Sequence, residues 1–324
     1  MYSVYDRWPE IAKESFQLEL NKIEFPGINH IVFAGMGGSG TIGTVFSSIL
    51  SKSNIHVSIV NGYILPKTVD KGTLVVTTSI SGNTVETLTV LNSTKLLDCK
   101  VLACSSGGKI EDYCIKNEIE FRKIPMIHSP RASFVSFLYA MLKVLSPIIP
   151  IQIHDINESI NELEKTREYI FSENLSSNNT ALELANKISE IPLIYYPAGL
   201  QAAAVRFKSS LQENTKMHAL AEDVIEACHN GIVAWDYPSQ IIPILIEGED
   251  DYIKTKERWM ILKEFFDSKN IEYLEIFSGN GNILTKLARL IYILDYSTIY
   301  KAAMLKIDPS PIDPIDYIKK KLLS

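Results

Sequence analysis

One segment limits the possible folds more than any other, because a buried-strand pattern runs straight into a glycine-rich turn and then a helix. Residues 30–34, HIVFA, form an apolar run long enough for a buried strand. The sequence GMGGSG follows at positions 35–40, and residues 41–50 have a helical pattern. Further apolar runs alternate with helical segments along the chain, which predicts doubly wound parallel sheets of the flavodoxin-like α/β type. Ligands of such sheets bind at the carboxyl ends of the strands, where this turn lies.

A second turn, TTSISGNTVET at positions 77–87, follows the apolar run at 72–76 and leads into another helix. A helix N-terminus offers unpaired backbone N–H groups and a partial positive charge, so it can hold a phosphate without lysine or arginine. The hydroxyls of Ser79, Ser81 and Thr84 would each add about 1.5–3 kcal/mol as hydrogen bonds to a charged acceptor. From these residues alone, a turn whose side chains merely cap the next helix is an equal alternative.

The GMGGSG turn also satisfies the G-x-G-x-x-G pattern of dinucleotide-binding proteins. Such a site requires an acidic residue after the second strand to hold the ribose. The strand predicted at 55–60 is followed instead by NGY at 61–63. A nucleotide would also leave the turn at 77–87 without a role, whereas a sugar phosphate lying across two strand ends would use both turns. An NAD-dependent dehydrogenase is therefore the weaker alternative.

Length and composition favour two globular domains. The 324 residues exceed the usual size of one core, and 46% of them are apolar. The formal charge of −6 argues against a nucleic-acid or anionic-membrane surface, and no apolar stretch reaches the length of a membrane span. With no signal peptide at the start, the sequence predicts a soluble, cytoplasmic protein. We place the domains at residues 1–150 and 151–324, the second repeating the strand–helix alternation with strands at 191–196, 241–246 and 271–277.

Four cysteines, at positions 99, 104, 114 and 228, lack metal-ligand spacing and are expected to be reduced, mostly buried thiols. The six histidines form no zinc motif, so no metal site is predicted. A leading helix is expected over residues 5–23, and an apolar helix over residues 134–145. Arg131 falls in the first turn of the latter, where a positive charge is unfavourable. That placement indicates a ligand role, although a surface arginine is the commoner explanation.

The two turns together resemble the sugar isomerase (SIS) fold, which binds phosphosugars. The whole chain resembles the bifunctional phosphoglucose/phosphomannose isomerases of archaea and some bacteria. Five motifs occur in the family's order over nearly all residues. Besides the paired turns, they are SPRA at 129–132, QENTK at 212–216, EACHN at 226–230, and DPSP at 308–311 followed by Lys319.

This resemblance implies a role for each matched residue. Glu213 would move a proton between C1 and C2 of a hexose 6-phosphate, Arg131 would stabilise the enediolate, and His229 and Lys319 would assist ring opening. A homodimer is implied, with the histidine supplied by the neighbouring subunit, no cofactor, and a place in glycolysis and gluconeogenesis. Ser310 stands where the family has threonine at a position linked to use of mannose 6-phosphate. The phosphate would be held by Gly37, Gly38, Ser39, Ser79, Ser81 and Thr84.

The residue types suit the chemistry without the family. Aldose–ketose interconversion needs one carboxylate, worth about 10²–10⁴-fold, and a fixed cation facing the developing oxyanion. Taken singly, however, Glu213 could be a solvated ion-pair partner, His229 a helix-terminal histidine, and Lys319 part of a charged C-terminal face. A non-catalytic phosphosugar-binding regulator would keep the hydroxyl turn and need neither Glu213 nor His229. The set of Arg131, Glu213 and His229 favours the enzyme.

Overall fold

The computed structural model describes residues 1–322 of the chain. Its nine strands, all in two parallel sheets, are β1 His30–Ala34, β2 His56–Val60, β3 Thr73–Ser79, β4 Lys100–Ser105, β5 Glu120–Lys123, β6 Ile191–Tyr196, β7 Leu220–Asp223, β8 Ile241–Glu247 and β9 Leu274–Phe277. Its α-helices are α1 Tyr2–Asp6, α2 Trp8–Gln17, α3 Gly38–Leu50, α4 Val85–Ser93, α5 Gly108–Lys116, α6 Phe134–Leu145, α7 Ile153–Ile170, α8 Thr180–Lys187, α9 Gln201–Ser210, α10 Val224–Ala227, α11 Ile253–Ser268, α12 Ile283–Met304 and α13 Asp313–Leu322.

The first sheet has the strand order β2-β1-β3-β4-β5, and every pairing is parallel. Strands β1 and β3 are fully buried, because helices cover both faces of the sheet. The register sets Ala34 beside Thr77 and Ser79 beside Ser105. The turns after β1 and β3 therefore leave the same edge of the sheet, as the sequence predicts.

The second sheet has the order β7-β6-β8-β9 and is also parallel. The doubly wound α/β prediction is confirmed for both halves of the chain. All five strands of the first sheet precede residue 150 and all four of the second follow it. The domain boundary at 150 itself stays a prediction, since one continuous apolar cluster contains buried residues of both halves.

The N-terminal helices pack against α12 in the second half of the chain. Tyr5 and Trp8 are buried and pack within an aromatic group that includes Tyr292 and Tyr296 of α12. The Tyr292 hydroxyl donates to the carbonyl of Tyr5 at 2.7 Å. Helix α12 packs against α7, α8 and α9, and α9 packs against β6 and β7, so α12 connects the start of the chain with the second half.

Several predicted elements differ from the structure. The leading helix expected over residues 5–23 is two helices that end at Gln17, because the chain turns at Arg7 before a proline-containing first turn and becomes extended at Leu18. Helix α5 was not predicted at all. The sequence also predicts a helix over residues 201–214, but α9 ends at Ser210 and a π-helical turn, Leu211–Thr215, follows it. Strand β7 and helix α10, only four residues each, were also missed.

Within residues 1–322, no helix is both long and apolar enough to cross a membrane, and no group of three potential ligands could hold a metal ion. All four cysteines are free. Cys104 and Cys114 are buried, whereas Cys99 and Cys228 are partly exposed, so burial is less complete than expected. Burial raises the pKa of the Cys104 thiol to about 12 and that of Cys114 to about 11.

Candidate active site

The turn after β1 leads directly into α3 at the carboxyl edge of the first sheet. Gly37 precedes the helix with φ +56° and ψ −123°, a conformation that favours glycine. Gly38 is the first residue of α3, and Ser39 is buried in its first turn. The Ser39 hydroxyl accepts a hydrogen bond from the backbone N–H of Ile80 at 3.4 Å. This bond joins the glycine turn to the hydroxyl turn after β3.

The hydroxyl turn is organised by its own side chains. Ser79 Oγ and Thr84 Oγ1 lie 2.8 Å apart, and Ser79 Oγ also accepts from the backbone N–H of Gly82 at 3.1 Å. Ser81 Oγ accepts from the backbone N–H of Asn83 at 3.4 Å. Thr84 is the residue before α4, but its side chain makes no capping bond to that helix. The structure therefore gives no support to helix capping as the reason for this hydroxyl cluster.

Gly82 holds the hydroxyl turn against the turn after β4. Its φ is +71°, and a Cβ atom at this position would lie 1.7 Å from the carbonyl oxygen of Gly107. Both the dihedral angle and the close contact exclude a side chain. The two turns can approach this closely only because position 82 is glycine.

Arg131 lies in the turn before α6, which begins at Phe134 rather than at the arginine. The prediction that Arg131 occupies the first helical turn is therefore wrong. Its side chain is only 11% exposed, and its Nε lies 3.0 Å from Glu213 Oε2. Nη1 donates to Asn214 Oδ1 at 2.8 Å, and Nη2 donates to the carbonyl oxygen of Ser310 at 3.1 Å. Three contacts thus fix the guanidinium beside a carboxylate.

Glu213 occupies the π-helical turn that follows α9. A π-turn of this kind widens the helix by one residue and is frequent at functional sites. Lys216 ends the turn in the left-handed conformation, with φ +60°, and its ammonium donates to the carbonyl oxygens of Glu213 and Pro311 at 2.6 and 2.8 Å. Burial and the nearby Arg131 charge lower the pKa of Lys216. The turn is therefore tied to the segment that precedes α13.

Ser310 belongs to that same segment and meets the site through its backbone. Its carbonyl accepts from Arg131, and its N–H donates to Asp308 Oδ1 at 2.8 Å. The hydrogen bonds from Ser310 lower the pKa of Asp308. The structure brings Ser310 next to Arg131, but its role in choosing between epimers stays a prediction.

Arg206 connects the glycine turn with Arg131. Its Nη2 donates to the backbone carbonyl of Arg131 at 2.9 Å, and a Cβ atom on Gly38 would lie 2.9 Å from its Nη1. One buried side chain therefore spans from the start of α3 to the Arg131–Glu213 pair. Sequence analysis missed Arg206 and Lys216 because a cation in a helical segment normally indicates a solvated surface.

Two of the predicted site residues lie elsewhere. His229 follows α10 and is exposed, and Lys319 is exposed on α13. Across residues 1–322, neither side chain makes a hydrogen bond or ion pair with Arg131 or Glu213. A single chain thus links the two turns with Arg131 and Glu213, and the roles predicted for His229 and Lys319 stay predictions.

Comparison with known proteins defines the class. Residues 177–322 match the family model described as the bacterial phospho-glucose isomerase C-terminal SIS domain. The crystal structure of tagatose-6-phosphate ketose/aldose isomerase from Escherichia coli superposes with a TM-score of 0.69, covering 96% of each chain at 14% sequence identity. The fold is therefore that of the SIS phosphosugar isomerases.

Full-length relatives narrow the class to a family. A bifunctional phosphoglucose/phosphomannose isomerase of Caldicellulosiruptor bescii is 30% identical over 99% of this chain and 98% of its own length. A D-glucosamine-6-phosphate 4-epimerase of Sulfolobus acidocaldarius is 27% identical over 99% of this chain and 97% of its own. The chain belongs to the family of bifunctional phosphoglucose/phosphomannose isomerases.

Proposed function

We propose that the protein interconverts glucose 6-phosphate and mannose 6-phosphate with fructose 6-phosphate through a cis-enediolate. The observation that carries this proposal is the pairing of Glu213 with Arg131 at 3.0 Å, connected through Arg206 to the glycine turn. A carboxylate and a fixed cation are the two groups that the reaction requires. The family membership of the chain supports the same substrates.

Glu213 acts as the base. Its carboxylate takes the proton from C2 of the open-chain aldose, and the C–H electron pair becomes the C1–C2 double bond of the enediolate while the C1 carbonyl oxygen gains negative charge. The same carboxyl group then protonates C1, and the proton of the C2 hydroxyl moves to the C1 oxygen, which gives the ketose. One carboxylate serves both steps because the two carbons are adjacent.

Arg131 stabilises the enediolate. Its guanidinium is held by Glu213, Asn214 and the Ser310 carbonyl, so it needs no reorganisation when charge develops on the substrate. Preorganised donors of this kind lower the barrier because their interaction is stronger in the transition state than in the ground state. The phosphate meanwhile rests on Gly37, Gly38, Ser39, Ser79, Ser81 and Thr84, at the N-termini of α3 and α4.

The same enediolate accounts for both aldoses. Reprotonation at C2 on one face gives glucose 6-phosphate, and reprotonation after rotation of the C2 end gives its epimer, mannose 6-phosphate. We propose that Ser310 contacts the C2 end of the substrate, and the bond of its carbonyl to Arg131 supports this role. Serine keeps the hydroxyl donor of threonine and lacks its methyl group, so we expect both activities.

We further propose a cytoplasmic homodimer in which His229 enters the active site of the partner subunit. In support, His229 is exposed on its own chain, and Val233 and Tyr237 beyond it expose 67% and 80% of their surfaces. His229 and Lys319 would assist ring opening by exchanging a proton with the ring oxygen and the C1 hydroxyl. The neutral and protonated forms of histidine are both accessible near pH 7, which suits that task.

Purified protein in chelator is assayed for fructose 6-phosphate formation from both aldose phosphates, beside a Glu213→Gln variant. Conversion of both by the wild type, with a loss of about 10²-fold or more in the variant, supports one shared site. Glu162→Gln is the matched control, because Glu162 is 26% exposed against 27% for Glu213 and is also ion-paired, with Arg289. Saturable phosphosugar binding without conversion would instead identify a regulator.

Two further experiments test a different substrate and the proposed dimer. Glucosamine 6-phosphate is offered as a substrate because of the Sulfolobus relative, and we expect no 4-epimer, since a base placed for C1 and C2 does not serve C4.

For the dimer, inactive Glu213→Gln and His229→Gln variants are mixed after reversible denaturation. A shared site restores about a quarter of wild-type activity, because half of the dimers are mixed and each mixed dimer has one intact site. No recovery would contradict a histidine supplied by the partner.

A further inference from the structure

Arg206 is a buried cation beside the candidate site and is held through its Nε, its Nη2 and the face of its guanidinium. It is 3% exposed, and Asp295, its ion-pair partner, is fully buried. Nε and Nη2 lie 2.9 and 2.7 Å from Asp295 Oδ2, and the Ser210 hydroxyl donates to Oδ1 at 2.6 Å. The guanidinium carbon also lies 4.6 Å from the centre of the Phe134 ring. These contacts give the side chain a single orientation.

One nitrogen of this guanidinium is left over. Nε bonds Asp295, and Nη2 bonds Asp295 and the Arg131 carbonyl, whereas Nη1 has no hydrogen-bond partner in the described part of the chain. Nη1 is not fully enclosed by the protein, so it reaches space that solvent can enter. A guanidinium nitrogen carries donors only, so Nη1 can bond an acceptor that enters this space.

The unpartnered nitrogen faces the start of α3. A Cβ atom on Gly38 would lie 2.9 Å from Nη1, closer than real Cβ atoms approach. Gly38 does not have a positive φ, so the reason for glycine here is space and not backbone conformation. The missing side chain leaves room for Nη1 beside the N-terminus of α3, where the proposed substrate lies.

We propose that Arg206 is a further substrate-binding residue, whose Nη1 donates a hydrogen bond to an oxygen on C1 or C2 of the bound hexose 6-phosphate. This inference rests on the proposed function. The same guanidinium holds the Arg131 carbonyl through Nη2, and Arg131 lies 3.0 Å from the base Glu213, so Nη1 lies between Gly38 of the glycine turn and the reacting end of the site. Asp295 neutralises the charge of Arg206, which leaves a directed donor suited to a hydroxyl or carbonyl oxygen more than a second cation for the phosphate.

Binding is measured by calorimetry with two probes, so that turnover is not needed. One probe is 5-phosphoarabinonate, a five-carbon aldonate whose carboxylate mimics the enediolate, and the other is inorganic phosphate. Arg206→Lys keeps a positive charge beside Asp295 but loses the second fork of the guanidinium. We expect about 10-fold weaker binding of the aldonate, the loss of one charge-assisted hydrogen bond, with phosphate binding unchanged within about twofold.

Tyr5→Phe is the matched control. The Tyr5 hydroxyl donates to the same Asp295 carboxylate at 3.4 Å, and its removal leaves Arg206 Nη1 in place, so it should change neither affinity. Equal loss of both probes in Arg206→Lys would overturn the proposal, because it would place Arg206 at the phosphate or in the fold alone. Unchanged affinity for both would overturn it as well.

A crystal structure of the wild type with the aldonate decides the matter even if the lysine variant does not fold. The proposal requires Arg206 Nη1 within about 2.7–3.2 Å of a carboxylate or C2 oxygen of the ligand. Nη1 on the phosphate, or on no ligand atom, refutes it. These results also separate the two claims, because a protein that binds the aldonate through Nη1 without converting either hexose phosphate would contradict the proposed function and leave the Arg206 contact standing.

Discussion

Replacing Arg131 with lysine keeps the positive charge and removes the fork of three nitrogens that the guanidinium presents. The arginine uses three different nitrogens, at 3.0 Å from Glu213, 2.8 Å from Asn214 and 3.1 Å from the Ser310 carbonyl. A lysine has one nitrogen, so it cannot keep all three contacts and face the substrate as well. Loss of one preorganised donor to a developing oxyanion costs about 2.7–4 kcal/mol, a fall in kcat of about 10²–10³-fold.

Steady-state kinetics with glucose 6-phosphate test this magnitude. The KM should stay within about threefold of the wild type, because the phosphate turns are untouched and the lost interaction belongs to the transition state. Arg122→Lys is the matched control. Arg122 is 12% exposed against 11% for Arg131 and is also held by a carboxylate and backbone carbonyls, but it lies on β5 away from the site. A raised KM with normal kcat in Arg131→Lys would refute the assignment to the enediolate.

Three other predictions concern the phosphate turn, pH and the thiols. Gly82→Ala should raise KM by about tenfold or more and lower Tm, because its Cβ would lie 1.7 Å from the Gly107 carbonyl at φ +71°; an unchanged KM would show that the turn does not hold the phosphate. Burial and the neighbouring His56 lower the pKa of His30. Below about pH 6.5 the unfolded chain therefore binds a proton at His30 that the native protein does not, so the free energy of unfolding decreases as the pH is lowered further. Urea unfolding at pH 7.5 and 5.5 should show a larger loss for the wild type than for His30→Asn. At pH 8 a thiol reagent should modify at most two of the four cysteines in the native protein and all four in denaturant, because Cys104 and Cys114 are buried with raised pKa values.

The local sequence pattern was enough to predict an element where its apolar residues follow the spacing of a strand or a helix. Strand β1 and helix α6 have the predicted bounds, because each is a mainly apolar segment with polar or glycine residues on both sides. Strand β7 was missed because its four residues, Leu220–Asp223, are half polar and partly exposed, so no alternation marks them. The leading helix was overextended because residues 18–23 keep an apolar spacing without forming a helix.

The site itself could be predicted only in part. The glycine turn and the hydroxyl turn are local and were found from strand, turn and helix signals. Arg131, Glu213 and Ser310 were found through the family resemblance. Arg131 bonds Asn214 and Ser310, which lie 83 and 179 residues further along the chain, and no local pattern reports contacts over such separations. Arg206 escaped notice because Asp295, the residue that explains its burial, is 89 residues away.

Solvent isotope incorporation tests whether one base, Glu213, forms one enediolate from both aldose phosphates. Fructose 6-phosphate is incubated with the protein in deuterium oxide, and both aldose phosphates are isolated and analysed by NMR. The account predicts deuterium at C2 of glucose 6-phosphate and of mannose 6-phosphate, and none in either product with Glu213→Gln. Formation of the aldoses without any deuterium would indicate a hydride shift between the carbons and would contradict proton transfer through Glu213.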